Sequence, residues 1–424
     1  MSKQWIKNRS ELQTSPERKI VLDIIEAAYD AIDTKEIIKK SVKLDGKTLT
    51  VKDKVFNLEG VEHIYVIGFG KASCLAASEL DGILGSVIKE GVAIGLAPIA
   101  CDYIQTYGGS HPLPSVANVE FSDKIVQLSR EITEKDLVIT VVSGGGSSLL
   151  CWPMDECKQA NKLYEEFLKT GGDIRELNTV RKHISMLKGG GLAKVLYPAT
   201  VIGLIFSDVP GDNYEYIASG PTYKDITTIA DAQAILDKYG LTGYTLNETP
   251  NEDVYFEKVT NIPLVSNIEA LEAMKSKVKS LGLKAEILSS ELYGAPEQIV
   301  KKFIKEIEPG CVVLGGGEPQ AIVPDSGGTG GRCQRLGIEM LSVLKKTDVF
   351  ASIASDGLDN SNAAGVIEDW DTLQMVQSKA IDIEDYKNRW DSLGFYKQTG
   401  NELLETGPTQ ANVSDLMILY RNRG

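Results

Sequence analysis

The sequence predicts an α/β protein of two domains, each with a largely parallel sheet flanked by helices. Two observations support this fold class: segments with strand patterns alternate with segments of helical periodicity, and glycine-rich turns follow several strands. The chain has 424 residues, which is too many for one ordinary core. Its composition changes at Thr242–Asn261, where Gly, Asn, Thr, Glu and Pro dominate. The predicted domains therefore span residues 1–243 and 250–424.

The N-terminal half has the order of a Rossmann-like domain, preceded by a helix that begins after Pro16 and by a hairpin with Asp45-Gly46 at its turn. The predicted helices are Glu17–Ile32, Ser73–Leu80, Val119–Ile132 and Leu177–Leu196, the last interrupted by glycines. The predicted strands are His63–Ile67, Val92–Leu96, Val138–Val142 and Val201–Phe206.

The C-terminal half repeats the alternation of helices and strands. Its predicted helices are Ile268–Leu281, Pro296–Ile307, Leu336–Leu344 and Asp371–Ile381. Its predicted strands are Lys284–Leu288, Cys311–Leu314, Val349–Ala354 and Leu416–Tyr420.

The composition excludes several classes of protein. Apolar residues make up 42% and charged residues 25%, while the formal net charge is -14, which argues against nucleic acid as a partner. No stretch approaches the ~20 apolar residues of a membrane helix, and the polar segment Met1–Lys19 lacks a signal-peptide core. We therefore expect a cytoplasmic protein with no membrane partner. Six scattered cysteines and three histidines indicate neither a disulfide framework nor a histidine-rich zinc site.

The strongest local pattern is the strand Val138–Val142 followed by three glycines and two serines. A glycine-rich turn after a strand lets backbone N–H groups face one point, where an anion binds. Ligands of open α/β sheets lie outside the carboxyl ends of strands. A tight turn without a ligand is the alternative. The candidate binding residues of this turn are Ser143, Gly144, Gly145, Gly146, Ser147 and Ser148.

Lys71 follows another strand, in the segment Gly68-Phe-Gly-Lys. The segment only weakly resembles a dinucleotide fingerprint, because Ser73 stands in its third glycine place, and its spacing is not that of a Walker A loop. A lysine at a helix start opposes the helix dipole, which favours a nearby anion. His111 lies in a loop fixed by two prolines and is a further candidate ligand residue.

Arg181, Ser185 and Lys188 have the spacing of one helical face and precede a triple glycine that includes Gly189 and Gly190. Two cations on one stripe suit a carboxylate or dianionic ligand, and a solvated basic face is the alternative.

Acidic and basic residues follow the remaining strand ends. Asp208 and Asp212 come after Val201–Phe206 and are candidate ligands for Mg²⁺. Glu318 follows three glycines, Asp356 follows Val349–Ala354, and Arg332 opens a helix after a glycine-rich segment. Four glycine-rich strand ends along the chain, with cations and carboxylates between them, together favour a ligand site over a purely structural role.

These motifs resemble the glycerate 2-kinase family, whose C-terminal half is called the MOFRL domain. The matching segments run in order along the chain: Gly-Lys-Ala (70–72), His-Pro-Leu-Pro (111–114), Ser-Gly-Gly-Gly-Ser (143–147), Val-Arg-Lys-His (180–183), Leu-Lys-Gly-Gly (187–190), Ser-Asp-Val-Pro-Gly-Asp (207–212), Ala-Ser-Gly-Pro-Thr (218–222), Gly-Gly-Gly-Glu-Pro (315–319), Gly-Gly-Arg (330–332) and Thr-Gly-Pro-Thr (406–409).

The resemblance implies two α/β domains with an active site in the cleft between them. It implies phosphorylation of the 2-hydroxyl of D-glycerate, dependent on ATP and Mg²⁺, to give 2-phosphoglycerate. It assigns Lys71 and Arg332 to catalysis and the glycine-rich turns and the Arg-Lys-His helix to the ligand site. The expected partners are a sugar acid and a nucleotide, and the chain is expected to be a monomer or a homodimer.

The sequence departs from the family pattern at Gly191, Cys333, Arg335 and Asn360, all beside the expected site. A related sugar acid is therefore an alternative acceptor. An NAD(P)-dependent hydroxypyruvate reductase and a non-catalytic binding protein are the alternatives from other classes.

Overall fold

The structure, a computed structural model, describes residues 3–167, 169–209, 211, 213–320 and 327–424. The chain divides into two compact units. One is the continuous segment 34–264, here called the inserted unit, and the other combines residues 1–33 with 265–424 and is here called the terminal unit. This division differs from the predicted one, which placed the boundary between 243 and 250 and residues 1–33 in the N-terminal domain.

Helices and strands alternate along most of the described chain. The helices are α1 (Arg9–Leu12), α2 (Pro16–Ala31), α3 (Thr34–Ser41), α4 (Ser73–Leu84), α5 (Val116–Leu128), α6 (Gly146–Leu149), α7 (Met154–Phe167), α8 (Ile174–His183), α9 (Gly191–Leu196), α10 (Ile229–Lys238), α11 (Asn267–Ser280), α12 (Pro296–Glu306), α13 (Arg332–Leu341), α14 (Trp370–Ser378), α15 (Ile383–Asn388) and α16 (Ser392–Thr399). Across the described residues, none of these helices has the length and apolar character needed to cross a membrane.

The strands form one small and two six-stranded sheets. They are β1 (Val42–Asp45), β2 (Thr48–Val51), β3 (Lys54–Asn57), β4 (Ile64–Phe69), β5 (Ile88–Gly95), β6 (Ile104–Gly108), β7 (Leu137–Ser143), β8 (Thr200–Phe206), β9 (Val259–Val265), β10 (Lys284–Gly294), β11 (Cys311–Pro319), β12 (Asp348–Ala354), β13 (Gly365–Asp369), β14 (Leu403–Leu404) and β15 (Asp415–Arg421).

The main sheet of the inserted unit has the order β6-β5-β4-β7-β8-β9. The pairs from β6 to β8 are all parallel. This is the strand order 3-2-1-4-5-6 of doubly wound folds, so the prediction of a Rossmann-like domain is confirmed. The order reverses between β4 and β7, and ligands bind at the carboxyl ends of the strands at such a point.

Both strands at the reversal point are completely buried, as their nearly continuous apolar sequences predict. Side chains of β4 and β7, among them Ile67 and Val142, pack in one core with Phe121 and Ile125 of α5. Because this core fixes both strands, the turns that leave them start from defined positions.

The sheet of the terminal unit has the order β10-β11-β15-β12-β13-β14. Only β10 and β11 pair in parallel, and the other four neighbouring pairs are antiparallel. The α/β class is confirmed, but the prediction that this second sheet is largely parallel is wrong. Two of these pairs arise because β11 and β12 run in the same direction, as a helical crossover requires, and the last strand, β15, enters between them in the opposite direction. The other two involve β13 and β14, which the sequence did not predict as strands.

The first helices of the chain pack within the terminal unit. Helix α2 packs against α11, β12 and β15. Arg18 of α2 is buried, and its Nε donates to Asp369 Oδ2 at 2.6 Å while its Nη2 donates to Thr372 Oγ1 at 2.9 Å. Tyr29 donates its hydroxyl to Ala354 O at 3.1 Å. These long-range contacts explain why residues 1–33 belong with the C-terminal part of the chain.

Candidate active site

The turns that follow β4 and β7 are joined directly to each other. Lys71 N donates to Gly144 O at 2.8 Å, and Ala72 N donates to Ser143 Oγ at 3.1 Å. Gly70 has φ +124°, and a Cβ there would lie 2.2 Å from Ser143 Oγ, so only glycine fits this close approach. The two turns therefore form one structure at the point where the strand order reverses.

Lys71 and His111 both lie against Gly145. A Cβ built on Gly145 would be 3.2 Å from Lys71 Cγ and 3.0 Å from His111 Cδ2. The loop that carries His111 is tied to the sheet edge, because Gly109 N donates to Gly95 O at 2.8 Å. Lys71 lies one residue before Ala72, the N-cap of α4, and so just outside the helix in whose first turn the sequence placed it.

The turn at 143–148 also offers backbone donors. Within the described ranges, the amides of Gly145, Gly146 and Ser147 have no hydrogen-bond acceptor, as expected for residues at and before the first turn of a helix. Ser148 instead closes the turn, because its N and Oγ both donate to Gly145 O, at 3.2 and 3.1 Å. Free amides next to the Lys71 side chain are an arrangement that binds anions.

Ser147 belongs to a chain of side-chain hydrogen bonds that the sequence did not reveal. Ser147 Oγ lies 2.9 Å from Ser219 Oγ, which donates to Asn178 Oδ1 at 3.1 Å. Ala218 and Ser219 have left-handed backbones, with φ +51° and +61°. Such conformations cost energy in non-glycine residues and cluster at functional sites. The only sequence signal for Ser219 and Asn178 was the position of both in or beside motifs of the family.

The prediction that Arg181, Ser185 and Lys188 lie on one helical face is wrong. Helix α8 ends at His183. Ser185 Oγ then accepts hydrogen bonds from Leu187 N at 3.2 Å and from Lys188 N at 3.1 Å. A side chain that captures backbone donors in this way replaces the helical pattern with a turn.

Most of the cations in this segment already have internal partners. Lys188 is buried, pairs with Glu156 of α7 and donates to Leu150 O at 2.7 Å. Lys182 is buried and pairs with Asp225 at 3.0 Å. Gly189 N and Gly190 N donate to Ser219 O and Gly220 O, at 2.9 and 2.8 Å. The contacts of Gly189 and Gly190 support the Ser219 turn. The predicted roles of Lys188, Gly189 and Gly190 in ligand binding stay predictions. 

Arg181 differs from its neighbours. Among the residues that the structure describes, no carboxylate pairs with its guanidinium, and burial lowers the pKa of Arg181 to about 10. Arg181 lies one helical turn after Asn178, on the same face of α8. A partly buried cation without a counter-ion is stabilised by an anionic ligand.

In the terminal unit, Arg332 is the first residue of α13 and contacts two carboxylates. Its Nε donates to Asp415 Oδ2 at 3.0 Å, and its Nη2 donates to Glu318 Oε1 at 3.3 Å. Asp359 accepts from the amides of Cys333 and Gln334, at 3.1 and 2.8 Å, and so caps the helix. Burial raises the pKa of Asp359 to about 6.

The other predicted carboxylates lie at strand ends. Asp356 follows β12, and its Oδ1 accepts from Leu358 N at 3.1 Å. Asp208 follows β8, whereas Asp212 lies outside the described residues. Over the part of the chain that the structure describes, no group of three His, Cys, Asp or Glu side chains could hold a metal ion by itself. The assignment of Mg²⁺ to Asp208 and Asp212 stays a prediction.

Comparisons with known proteins agree with this arrangement. Residues 20–249 match the model of a Domain of unknown function (DUF4147), and residues 311–415 match that of the MOFRL family. Glycerate 2-kinase from Pyrococcus horikoshii is 34% identical over 438 residues, which cover 95% of this chain and 96% of the relative. The chain belongs to the glycerate 2-kinase family.

Two further members of the glycerate 2-kinase family support this. D-glycerate 2-kinase from Thermotoga maritima is 32% identical over 410 residues, covering 90% of this chain and 96% of the relative. A crystal structure of glycerate kinase from Thermotoga maritima has a TM-score of 0.80 and 29% identity, and covers 95% of this chain and 99% of the other. The resemblance inferred from the motifs is thereby confirmed.

The residues that depart from the glycerate 2-kinase pattern all make internal contacts in the structure. Cys333 is completely buried, and Arg335 Nη2 pairs with Glu339 at 2.7 Å. Gly191 begins α9, where a Cβ would lie 2.2 Å from Met186 O. Asn360 Nδ2 donates to Gly330 O at 3.1 Å. Each of these residues therefore has a structural reason that does not involve a ligand.

Proposed function

We propose that this protein transfers the γ-phosphoryl group of ATP, with Mg²⁺, to the 2-hydroxyl of D-glycerate, giving 2-phosphoglycerate. The observation that carries the proposal is the joined pair of turns after β4 and β7. Phosphoryl transfer needs positive charge and fixed donors around the transferring group, and little other chemistry from the protein. Lys71, His111 and the amides of Gly145, Gly146 and Ser147 offer that arrangement within one unit.

Arg181 is the proposed partner of the acceptor's carboxylate. A guanidinium binds a carboxylate with two parallel hydrogen bonds, and no carboxylate among the described residues pairs with Arg181. Burial lowers the pKa of Arg181 to about 10. Asn178 precedes Arg181 by one turn of α8 and is joined through Ser219 to Ser147. These three residues offer polar atoms for the hydroxyl groups of a small acid. A longer sugar acid with the same carboxylate and 2-hydroxyl remains the alternative acceptor.

A kinase site needs few protein carboxylates to hold Mg²⁺. That ion typically takes one or two protein carboxylates and completes its coordination with nucleotide phosphates and water. Asp208, at the carboxyl end of β8, is the described candidate, with Asp212 proposed beside it in sequence. When bound, Mg²⁺ would neutralise charge on the nucleotide phosphates.

The structure gives no support to a nicotinamide-dependent reductase. Gly68 lies inside β4, so it does not begin a dinucleotide-binding turn. Ser73 fills the third glycine place and donates its hydroxyl to Gly70 O at 2.6 Å. Strand β5, which would end in the acidic residue that binds the ribose, ends in Gly95 and is followed by Leu96 and Ala97.

The purified protein with Mg-ATP and D-glycerate tests the proposed function. We expect ADP release, measured with a coupled assay, and a product that enolase consumes directly, which identifies 2-phosphoglycerate rather than the 3-phosphate. A panel of C4 to C6 sugar acids identifies a different acceptor. If the protein oxidises NADH with hydroxypyruvate and releases no ADP with any acid, the proposed kinase function is wrong and the protein is a reductase.

Replacing Arg181 with alanine is expected to raise the KM for the acid by about 10-fold or more, with a smaller change in kcat. The physical reason is that the carboxylate does not react, so its contact is equally strong in the ground state and the transition state. The matched control is Arg175→Ala, which removes an exposed arginine from the same helix. If both variants have the same KM and kcat, Arg181 does not contact the acid and its role is structural.

A further inference from the structure

The last strand brings a carboxylate to the strand ends beside Arg332. Asp415 is the first residue of β15, which lies between β11 and β12 and runs opposite to both. In the register of the sheet, Asp415 therefore stands opposite Gly317 of β11 and Ala354 of β12. A residue that begins one strand thus lies where its two neighbours end.

Asp415 holds one edge of the Arg332 guanidinium. Its Oδ2 accepts from Arg332 Nε at 3.0 Å, and its Oδ1 lies 3.5 Å from Arg332 Nη2. The side chain of Asp415 is 4% exposed, whereas those of Arg332 and Glu318 are 37% and 38% exposed. Asp415 is therefore the buried anchor of the cluster, and Glu318 is a second partner closer to solvent.

This contact leaves part of the guanidinium available. Among the described residues, no acceptor bonds to Arg332 Nη1, while Nε and Nη2 are both engaged. An arginine held along one edge presents its remaining N–H groups in a fixed direction. Such fixed donors stabilise charge in a transition state because they need no reorganisation when the reaction occurs.

We propose that Asp415 is a positioning residue, which holds the Arg332 guanidinium so that Nη1 is directed at an anionic phosphoryl group of the reactants. The inference rests on the proposed kinase function and on the anchored guanidinium of Arg332, whose Nη1 has no acceptor among the described residues. It adds to the site a residue that no strand-end pattern in the sequence indicated.

The charges around Asp415 make this role sensitive to pH. Burial, Asp359 and Glu318 raise the pKa of Asp415 to about 7, against the effect of Arg332. Cys333 of α13 also faces the carboxylate, and its own pKa is raised well above the usual range by burial, so it stays a neutral thiol. Protonation of Asp415 as the pH falls below about 7 would weaken its hold on Arg332. The kcat of the wild type should therefore fall on the acidic side.

The test compares Asp415→Asn with a matched loss of a buried ion pair at the other end of the same strand. Arg421, which ends β15, donates to both oxygens of Asp348 at 2.7 Å, and Asp348→Asn is the control. Steady-state kinetics with Mg-ATP and D-glycerate, or the best sugar acid, are measured from pH 5.5 to 8.5. Thermal unfolding is recorded for each variant.

We expect Asp415→Asn to lower kcat by about 10- to 100-fold, with little change in KM, and to remove the acidic limb of the pH profile. Combining Asp415→Asn with Arg332→Ala should lower kcat no further than Arg332→Ala alone, since both act through one group. Asp348→Asn should reduce the unfolding temperature and leave kcat and its pH profile unchanged.

Two results would overturn the inference. If the wild type turns over the acid and Asp415→Asn keeps kcat within twofold, or keeps the acidic limb, Asp415 is only structural and the kinase proposal stands. If the wild type shows no turnover with any acid, the proposed function fails and this inference fails with it.

Discussion

Replacing Lys71 with alanine is expected to lower kcat by about 100-fold or more, on the scale of losing one fixed electrostatic donor. Lys71 is joined through its backbone to Gly144, and its side chain lies against Gly145. Charge on the oxygens of the transferring group develops in the transition state, so a fixed ammonium favours that state over the ground state. Steady-state kinetics with the best acid and Mg-ATP measure the effect.

Two further variants sharpen this prediction. Lys71→Arg should restore the rate only in part, because a planar guanidinium does not replace a compact ammonium. Lys89→Ala is the matched control, since Lys89 is exposed near the start of β5, at the opposite end of that strand from the site. The unfolding temperature of Lys71→Ala should change little. A kcat near that of the wild type would make Lys71 structural.

Replacing Lys188 with methionine is expected to lower the free energy of unfolding by about 3–5 kcal/mol, the usual cost of leaving one charge of a buried pair uncompensated. The side chains of Lys188 and Glu156 are 2% and 1% exposed. Without Lys188, the Glu156 carboxylate would keep, among the described residues, the hydroxyl of Ser185, at 2.8 Å, and the amide of Trp152, at 3.2 Å. Denaturant unfolding measures the loss.

The double variant Lys188→Met with Glu156→Gln distinguishes a structural role from a ligand contact. Removing the second charge should recover most of the lost stability, because neutral groups of similar volume replace the buried pair. The KM of the double variant for the acid should then be close to that of the wild type. A raised KM in the stable double variant would instead support the predicted contact between Lys188 and the ligand.

The convergence of Lys71 and residues 143–148 could be predicted from the sequence. Each follows a predicted strand, and parallel strands place their carboxyl ends at one edge of the sheet, whatever the details of packing. A simple rule of topology was sufficient there. His111 follows β6, a strand that the sequence did not predict. The sequence nonetheless placed Lys71 in the first turn of α4, whereas it lies just before the helix. Helix starts depend on local capping, which a pattern of apolar residues does not define.

The end of helix α8 and the turn over residues 184–190 could not be predicted in the same way. The spacing of Arg181, Ser185 and Lys188 suits a helix, and helical propensity gives no warning of a break. The break depends on Ser185 Oγ accepting two backbone amides and on Lys188 reaching Glu156. Ser185 Oγ competes locally with the helix for backbone amides, and Glu156 lies far from Lys188 in sequence. Periodicity alone could reveal neither contact.

Asp415 was missed for a topological reason. The sequence pattern indicates site residues at the ends of strands, and Asp415 begins one. Its proximity to Arg332 requires knowing that β15 runs opposite to β11 and β12, and an apolar segment has the same appearance in either direction. The same missing information, together with the unpredicted strands β13 and β14, explains why the sequence predicts a largely parallel second sheet.

The split of the terminal unit has a consequence for synthesis on the ribosome. Helix α2 emerges early, yet α11, β12 and β15, against which it packs, are made only after the whole inserted unit. The inserted unit is continuous and can fold as soon as it has emerged. The apolar face of α2, with Val21, Ile24 and Ile25, stays exposed to solvent until then. That interval is when the nascent chain would be most exposed to aggregation and most in need of a chaperone.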